Sequence, residues 1–262
     1  MKRIIFISVV SALLCGGAVL YAREIEADAR ATVQKAVAAP IIHAPKAAEK
    51  KKPAASVMLR LPLPNAVAPP KTSAGVNLPV PFTSQAPYRV WDALHEETCE
   101  EADMFMVEKY FKKETISGPA EADAAFRKTI AWEKANIGQY KDTNADEIMT
   151  ILRDYYGLKN VKLLLDPSVA DIKNNLDLGY PILLPADGKE LANPNFKNGG
   201  PPYHVVVLRG YTPDGHWITN DSGTRFGNGF LYPEQNLMAA MHDFVPGDTA
   251  HGRKVVIVVV PN

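Results

Sequence analysis

Cys99 stands at the head of the run CEEADMFMV, directly after Thr98. A thiol in the first turn of a helix meets unpaired backbone N–H groups and the positive end of the helix dipole, and both favour a thiolate. A thiolate becomes an acyl-transfer nucleophile when an imidazole, an oxyanion donor and a side chain that orients the imidazole stand around it. The chain offers one of each in a consistent order. Gln85 lies in VPFTSQAPY, where its side-chain amide and the N–H of Cys99 could receive an oxyanion. His204 opens HVVVLRGY and could serve as acid and base, and Asp221 closes ITND and could orient it. Asn220 is the alternative orienter, and His95, His216 and His242 are rivals to His204. Judged singly, each residue has a plainer use: a small buried thiol, a hydrogen-bonded structural histidine, a turn aspartate, a polar loop amide. Glu100 and Glu101 oppose activation, because negative charge beside a thiol raises its pKa. A reactive thiolate therefore requires both carboxylates to face solvent. A metal site drawn from His204, His216, Asp221 and His242 is a third use of the same residues, but no pair has a spacing such as HExxH.

These side chains need elements to hold them. Thr98 and Glu101 make a capping-box pattern that starts a helix at Cys99, with Ala102, Phe105, Met106 and Tyr110 on its apolar face. Further helices are expected over residues 119–135, opening with Pro119, over about 144–156, and over 168–178 before Gly179. The second half reads as strands over 161–165, 182–184, 204–211, 216–220 and 255–260, with a hairpin turn at YTPDGH between the middle two. A helix over about 233–243 separates the last strands. Helices first and strands after predict an α+β domain, its N-terminal helices packed on a mostly antiparallel sheet.

Outside that domain the composition changes. Residues 1–22 carry Lys2 and Arg3 ahead of an apolar run, the layout of a signal peptide. The run is also close to the roughly 20 residues of a membrane anchor, with the basic end cytoplasmic. Cys15 falls inside this run and follows Leu14, which does not suit a lipoprotein signal. Residues 23–75 are rich in Ala, Pro and Lys and read as a disordered linker. Residues 76–262 have the length of one domain. The expected location is secreted, or tethered to the outer face of the cytoplasmic membrane through the N-terminal segment only. The formal net charge of +0 argues against nucleic acid. Cys99 is the one cysteine outside the leader. No cofactor or metal is expected, and a monomer is.

The pieces VPFTSQAP, CEEADMFMV and YHVVVLRGYTPDGHWITNDSGTR together resemble the papain-like cysteine peptidases, and more closely the stand-alone form of the C39-like peptidase family. The resemblance covers most of residues 78–262. It implies a papain-like fold and a cysteine peptidase in which Gln85 is the oxyanion donor, Cys99 the nucleophile, His204 the acid/base and Asp221 the orienter. The implied substrate is a peptide or protein, or a cell-wall peptide cut by an amidase or endopeptidase variant of the same machinery. A catalytically weak or inactive peptide-binding domain on the same scaffold is the alternative. Two departures from the family pattern stand out: Glu100 and Glu101 replace small residues, and Asp221-Ser222 replaces Asp-Pro. Transporter-linked relatives cut after Gly-Gly. Gly199-Gly200 here reads instead as a loop entering a strand.

Overall fold

The computed structural model describes residues 75–261. The leader over 1–22, Cys15 and all but the last residue of the 23–75 linker lie outside the described residues. Among the described residues no helix is long and apolar enough to cross a membrane.

A short strand β1 (Val76–Asn77) is followed by a loop that carries Gln85 and a single 3-10 turn at His95–Glu97. Helix α1 (Cys99–Lys112) comes next, then α2 (Pro119–Asn136) and α3 (Ala145–Asp154). The remaining elements are β2 (Val161–Leu165), α4 (Val169–Asp177), β3 (Ile182–Ala186), β4 (His204–Tyr211), β5 (His216–Asn220), β6 (Asn228–Pro233), α5 (Glu234–Ala240) and β7 (Val255–Val259). The strands form one sheet in the order β2-β7-β3-β4-β5-β6, and every pairing is antiparallel. β3 reaches Leu208 of β4, and β1 takes over the same edge at Gly210 and Tyr211. Gly210 is needed for that approach, since a Cβ there would strike the Val76 carbonyl. The α+β architecture with helices on a mostly antiparallel sheet is as the sequence predicts.

The sheet is buried on both faces. Val205, Val207, Val255, Ile257 and Val259 pack against α1 and α3, while Val206, Leu208, Val256 and Val258 pack against α4 and α5. That is why VVVL and VVIVV are continuous apolar runs rather than alternating ones. α1 is the central helix. Every residue from Cys99 to Val107 is buried, because Met104, Met106 and Val107 face the sheet layer while Ala102 and Phe105 meet α2. Phe105 and Phe126 make an edge-on contact at 6.2 Å there. A single apolar face on α1 is thus too narrow a description.

Two helix starts behave as their sequences suggest. Asn144 with Glu147 and Ser168 with Asp171 form capping boxes at α3 and α4. The box expected at Thr98 does not form. The Thr98 hydroxyl donates instead to the Gln85 carbonyl at 3.0 Å, tying the Gln85 loop to the start of α1. Strand β6 has no counterpart among the expected elements, and the helix expected over about 233–243 is confined to Glu234–Ala240.

Candidate active site

Gln85, Cys99, Glu100, His204 and Gly223 line one cleft of about 1340 Å³, with Trp91, Phe226 and Phe244 around it. Cys99 reaches it from the first turn of α1. His204 reaches it from the first residue of β4, opposite Ala186 of β3. The cleft therefore lies where a helix start meets the end of a sheet.

His204 is 2 % exposed and held on three sides. Its Nε2 bonds Asp221 Oδ1 at 2.9 Å, Phe196 packs edge-on at 5.2 Å, and Gly223 lies against the ring. Val207 pairs with Asn220 across the β4–β5 ladder, so Asp221 falls just beyond the paired strand and folds back onto His204. Its carboxylate also accepts from Tyr232 Oη at 2.5 Å, from Asn193 Nδ2 at 2.7 Å and from the Gly223 N–H at 3.0 Å. Burial pushes the Asp221 carboxyl up. The charge and hydrogen bond of His204, with the bonds from Tyr232 and Asn193, outweigh that and hold it below the ordinary value. Asp221 is built to stay ionised, and it fixes which nitrogen of His204 faces it.

Asn220, the alternative orienter, points elsewhere. Its amide donates to the carbonyls of Val80 and Pro81, and its oxygen accepts from Arg209. The rival histidines also lie apart from the Asp221 carboxylate. His95 is clamped between Asp92 (2.8 Å) and Asp123 (2.9 Å), His216 is 3.5 Å from Asp214, and His242 bonds the Gly252 carbonyl. Among the described residues no cluster of three or more His, Cys, Asp or Glu side chains could hold a metal ion, so the metal option from His204, His216, Asp221 and His242 does not assemble.

Gln85 is 4 % exposed. Its backbone N–H donates to Ser222 O at 2.9 Å, and one N–H of its amide donates to the His95 carbonyl at 2.8 Å. Its side chain lines the cleft. His95 is thus a fixture that anchors the loop to α2 and steadies the Gln85 side chain.

Around Cys99 the sequence expectation needs correction. Neither glutamate faces solvent. Glu100 Oε2 accepts from Cys99 Sγ at 3.0 Å, and its Oε1 accepts from the Thr143 N–H at 2.9 Å. Glu101 turns into the α1–α2 interface against Glu133, where a proton on Glu101 is donated to the Glu133 carboxylate and no other described residue donates to either. Asp103, also on α1, is fully buried near Ser222. The reason is the central position of α1, which leaves its first turn no solvent side. Burial pushes all four carboxyls up, Glu100 and Glu133 to about 7, and Glu101 and Asp103 well above their ordinary values. Burial also pushes the Cys99 thiol up, reinforced by the charge and hydrogen bond of Glu100 and by Asp103, against a lowering contribution from the Val205 backbone. In this arrangement the thiol is protonated and bonded to Glu100, while Nδ1 of His204 carries no hydrogen bond to a described residue.

Asn193 and Tyr232, which complete the Asp221 shell, have no signature in sequence. Asn193 sits in a loop, and Tyr232 lies on β6, the strand whose Asn-Gly start reads as a turn. The closeness of Glu100 to the thiol was legible from adjacency alone, but its direction was not.

Residues 77–240 match the Peptidase_C39 like family, a stretch that carries Gln85, Cys99, His204 and Asp221. Among solved structures the chain is similar to the crystal structure of a candidate C39-like peptidase from Bacillus anthracis, at 16% identity and a TM-score of 0.46 over 72% of this chain and 98% of that one. No curated protein matches the chain.

Proposed function

We propose, from the premise that the chain belongs to the Peptidase_C39 like family, that it is a cysteine peptidase hydrolysing peptide or amide bonds in its Cys99 cleft. The observation that carries this reading is the His204–Asp221 bond at 2.9 Å, made through Nε2 so that Nδ1 is left for the thiol. In the reaction, Cys99 turns its S–H to Nδ1 of His204 and gives up the proton, leaving a thiolate and an imidazolium that Asp221 stabilises. The thiolate attacks the carbonyl carbon. The side-chain amide of Gln85 and the N–H of Cys99 receive the oxyanion. His204 then protonates the leaving amine, and water activated by the same imidazole releases the acid from the thioester. No step needs a metal or cofactor.

The substrate is a peptide, a protein or a cell-wall peptide. The leader over 1–22 and the linker over 23–75 support a place outside the cytoplasmic membrane, free or tethered. The test is active-site labelling and turnover with a peptide library in the full chain. Cys99→Ala and His204→Ala should each abolish turnover, and a thiol-directed acyl probe should label only chains that keep Cys99. Turnover that survives in Cys99→Ala would sink the reading.

One observation favours a second reading. The Cys99–Glu100 bond keeps the thiol neutral, as suits a peptide-binding domain that does not turn over. Binding of peptides without turnover in wild type, unaltered in Cys99→Ala, would select it.

A further inference from the structure

Glu100 is the immediate partner of the thiol in this structure, and the mechanism above leaves it without a part. It is 1 % exposed. Its two oxygens are divided between Cys99 Sγ–H and the Thr143 N–H, and the Thr143 carbonyl is itself held by Tyr203 Oη at 2.8 Å. The carboxylate is therefore fixed by the segment entering α3, and it has a set direction toward the nucleophile. The groups that act on it electrostatically come from every side: Cys99, Glu101 and Asp103 on α1, Glu133 on α2, Asp142 before α3 and Tyr203 before β4. None of these is a cation. Among these groups the one neutraliser is a proton.

Resting on the catalytic reading of Cys99, we infer that Glu100 is a proton-operated latch on the nucleophile, accepting the Cys99 S–H while ionised and releasing it when protonated. Ionised, the carboxylate keeps the proton on sulfur and adds negative charge beside it, and both effects oppose a thiolate. Protonated, that oxygen becomes a much weaker acceptor for the thiol, and it can donate to the sulfur instead. The thiol is then free to turn to Nδ1 of His204, where its proton passes to nitrogen and the sulfur keeps the electron pair. Burial places the titration of Glu100 at about 7, so the latch would open as pH falls through neutrality. Glu100 is a positioning residue in this scheme: it sets the state of the nucleophile and need not touch the substrate.

The test uses the full chain with Cys15→Ser, which leaves Cys99 as its one thiol. Glu100→Gln keeps an acceptor for the Thr143 N–H and turns an N–H toward the sulfur. Alkylation of Cys99 by iodoacetamide near pH ~8 should be roughly tenfold faster in Glu100→Gln than in the Glu100 chain, the effect of one pH unit on a thiolate fraction. Equal or slower alkylation in a folded variant overturns the latch. If the variant does not fold, the infrared S–H stretch of the Glu100 chain decides. The band should be strong near pH ~8, where the carboxylate keeps the proton on sulfur, and weaken near pH ~6 as the proton passes to His204, and a band independent of pH overturns the inference. The two readings fail separately. Faster labelling in Glu100→Gln with no hydrolysis under any condition keeps the latch and sinks the catalysis. Hydrolysis that requires Cys99 and His204, with labelling unmoved by Glu100→Gln, does the reverse.

Discussion

The carboxyl pair between α1 and α2 makes a quantitative prediction about stability. Burial holds Glu133 at about 7 against an ordinary value of 4.5. The folded chain therefore keeps a proton that the unfolded chain has released, throughout the window from about pH 4.5 to 7. Stability must fall as pH rises across that window and stay low above it. At about 1.4 kcal/mol per pH unit, ionising Glu133 in place costs at most about 3 kcal/mol. That is a large part of the roughly 5–15 kcal/mol that holds a domain folded. Burial and the charge of Glu133 push Glu101 up as well, which adds to the same trend. Glu133→Gln replaces the titrating group with an amide whose N–H can donate to Glu101. Urea unfolding, followed through the fluorescence of the fully buried Trp217, gives the stability at about pH 5 and pH 8. The wild type should be the less stable at the higher pH, and the drop should shrink by about 2–3 kcal/mol in Glu133→Gln. Glu100 titrates in the same window, so some slope remains in the variant and the difference between the two chains is the measure. A wild-type stability that is flat or rises from pH 5 to 8, or a slope unaltered by the substitution, would refute the reasoning.

Two further outcomes follow from the geometry around His204. A Cβ at Gly223 would stand 2.9 Å from His204 Cε1 and 2.9 Å from Phe196 Cε1, so Gly223→Ala should push the imidazole off Asp221. Turnover should fall roughly 100-fold with little change in thermal unfolding, and wild-type turnover would contradict the placement of the ring. Tyr232→Phe removes the 2.5 Å donor to Asp221 and leaves that oxygen with Asn193. It should cost about 1–2 kcal/mol of stability and about tenfold in kcat at constant KM, which steady-state kinetics and urea unfolding would check.

What could be read from the chain depended on whether a signal was local. The capping residues Asn144 and Ser168, Pro119 at a first helical turn, and the apolar strands around His204 and Val255 were legible because each states its own conformation. The approach of His204 to Asp221 followed from a hairpin whose turn is written in the sequence, although only the register could choose Asp221 over Asn220. Side-chain direction on α1 was not legible. A reactive thiol required Glu100 and Glu101 to face solvent, which is how such residues behave when one side of a helix is open. α1 has no open side there, and that is a property of the sheet, α2 and α3 packed around it. Thr98 shows the same limit: a good capping residue spent its hydroxyl on a distant carbonyl, that of Gln85.

The Gln85 loop is joined to the far side of the cleft by bonds that span most of the domain, the Ser84 hydroxyl reaching Ser222 O across 138 residues of chain. The helix that carries the thiol can form from neighbours, since α1 and α2 adjoin in sequence. The Gln85 loop can settle on it early through Thr98 and His95, but His204 and Asp221 meet it only after that long loop has closed, and closure is the slow, entropically opposed part of folding. A half-folded chain thus holds a thiol with no means to use it. The proposed hydrolysis would be the last property the molecule acquires on folding.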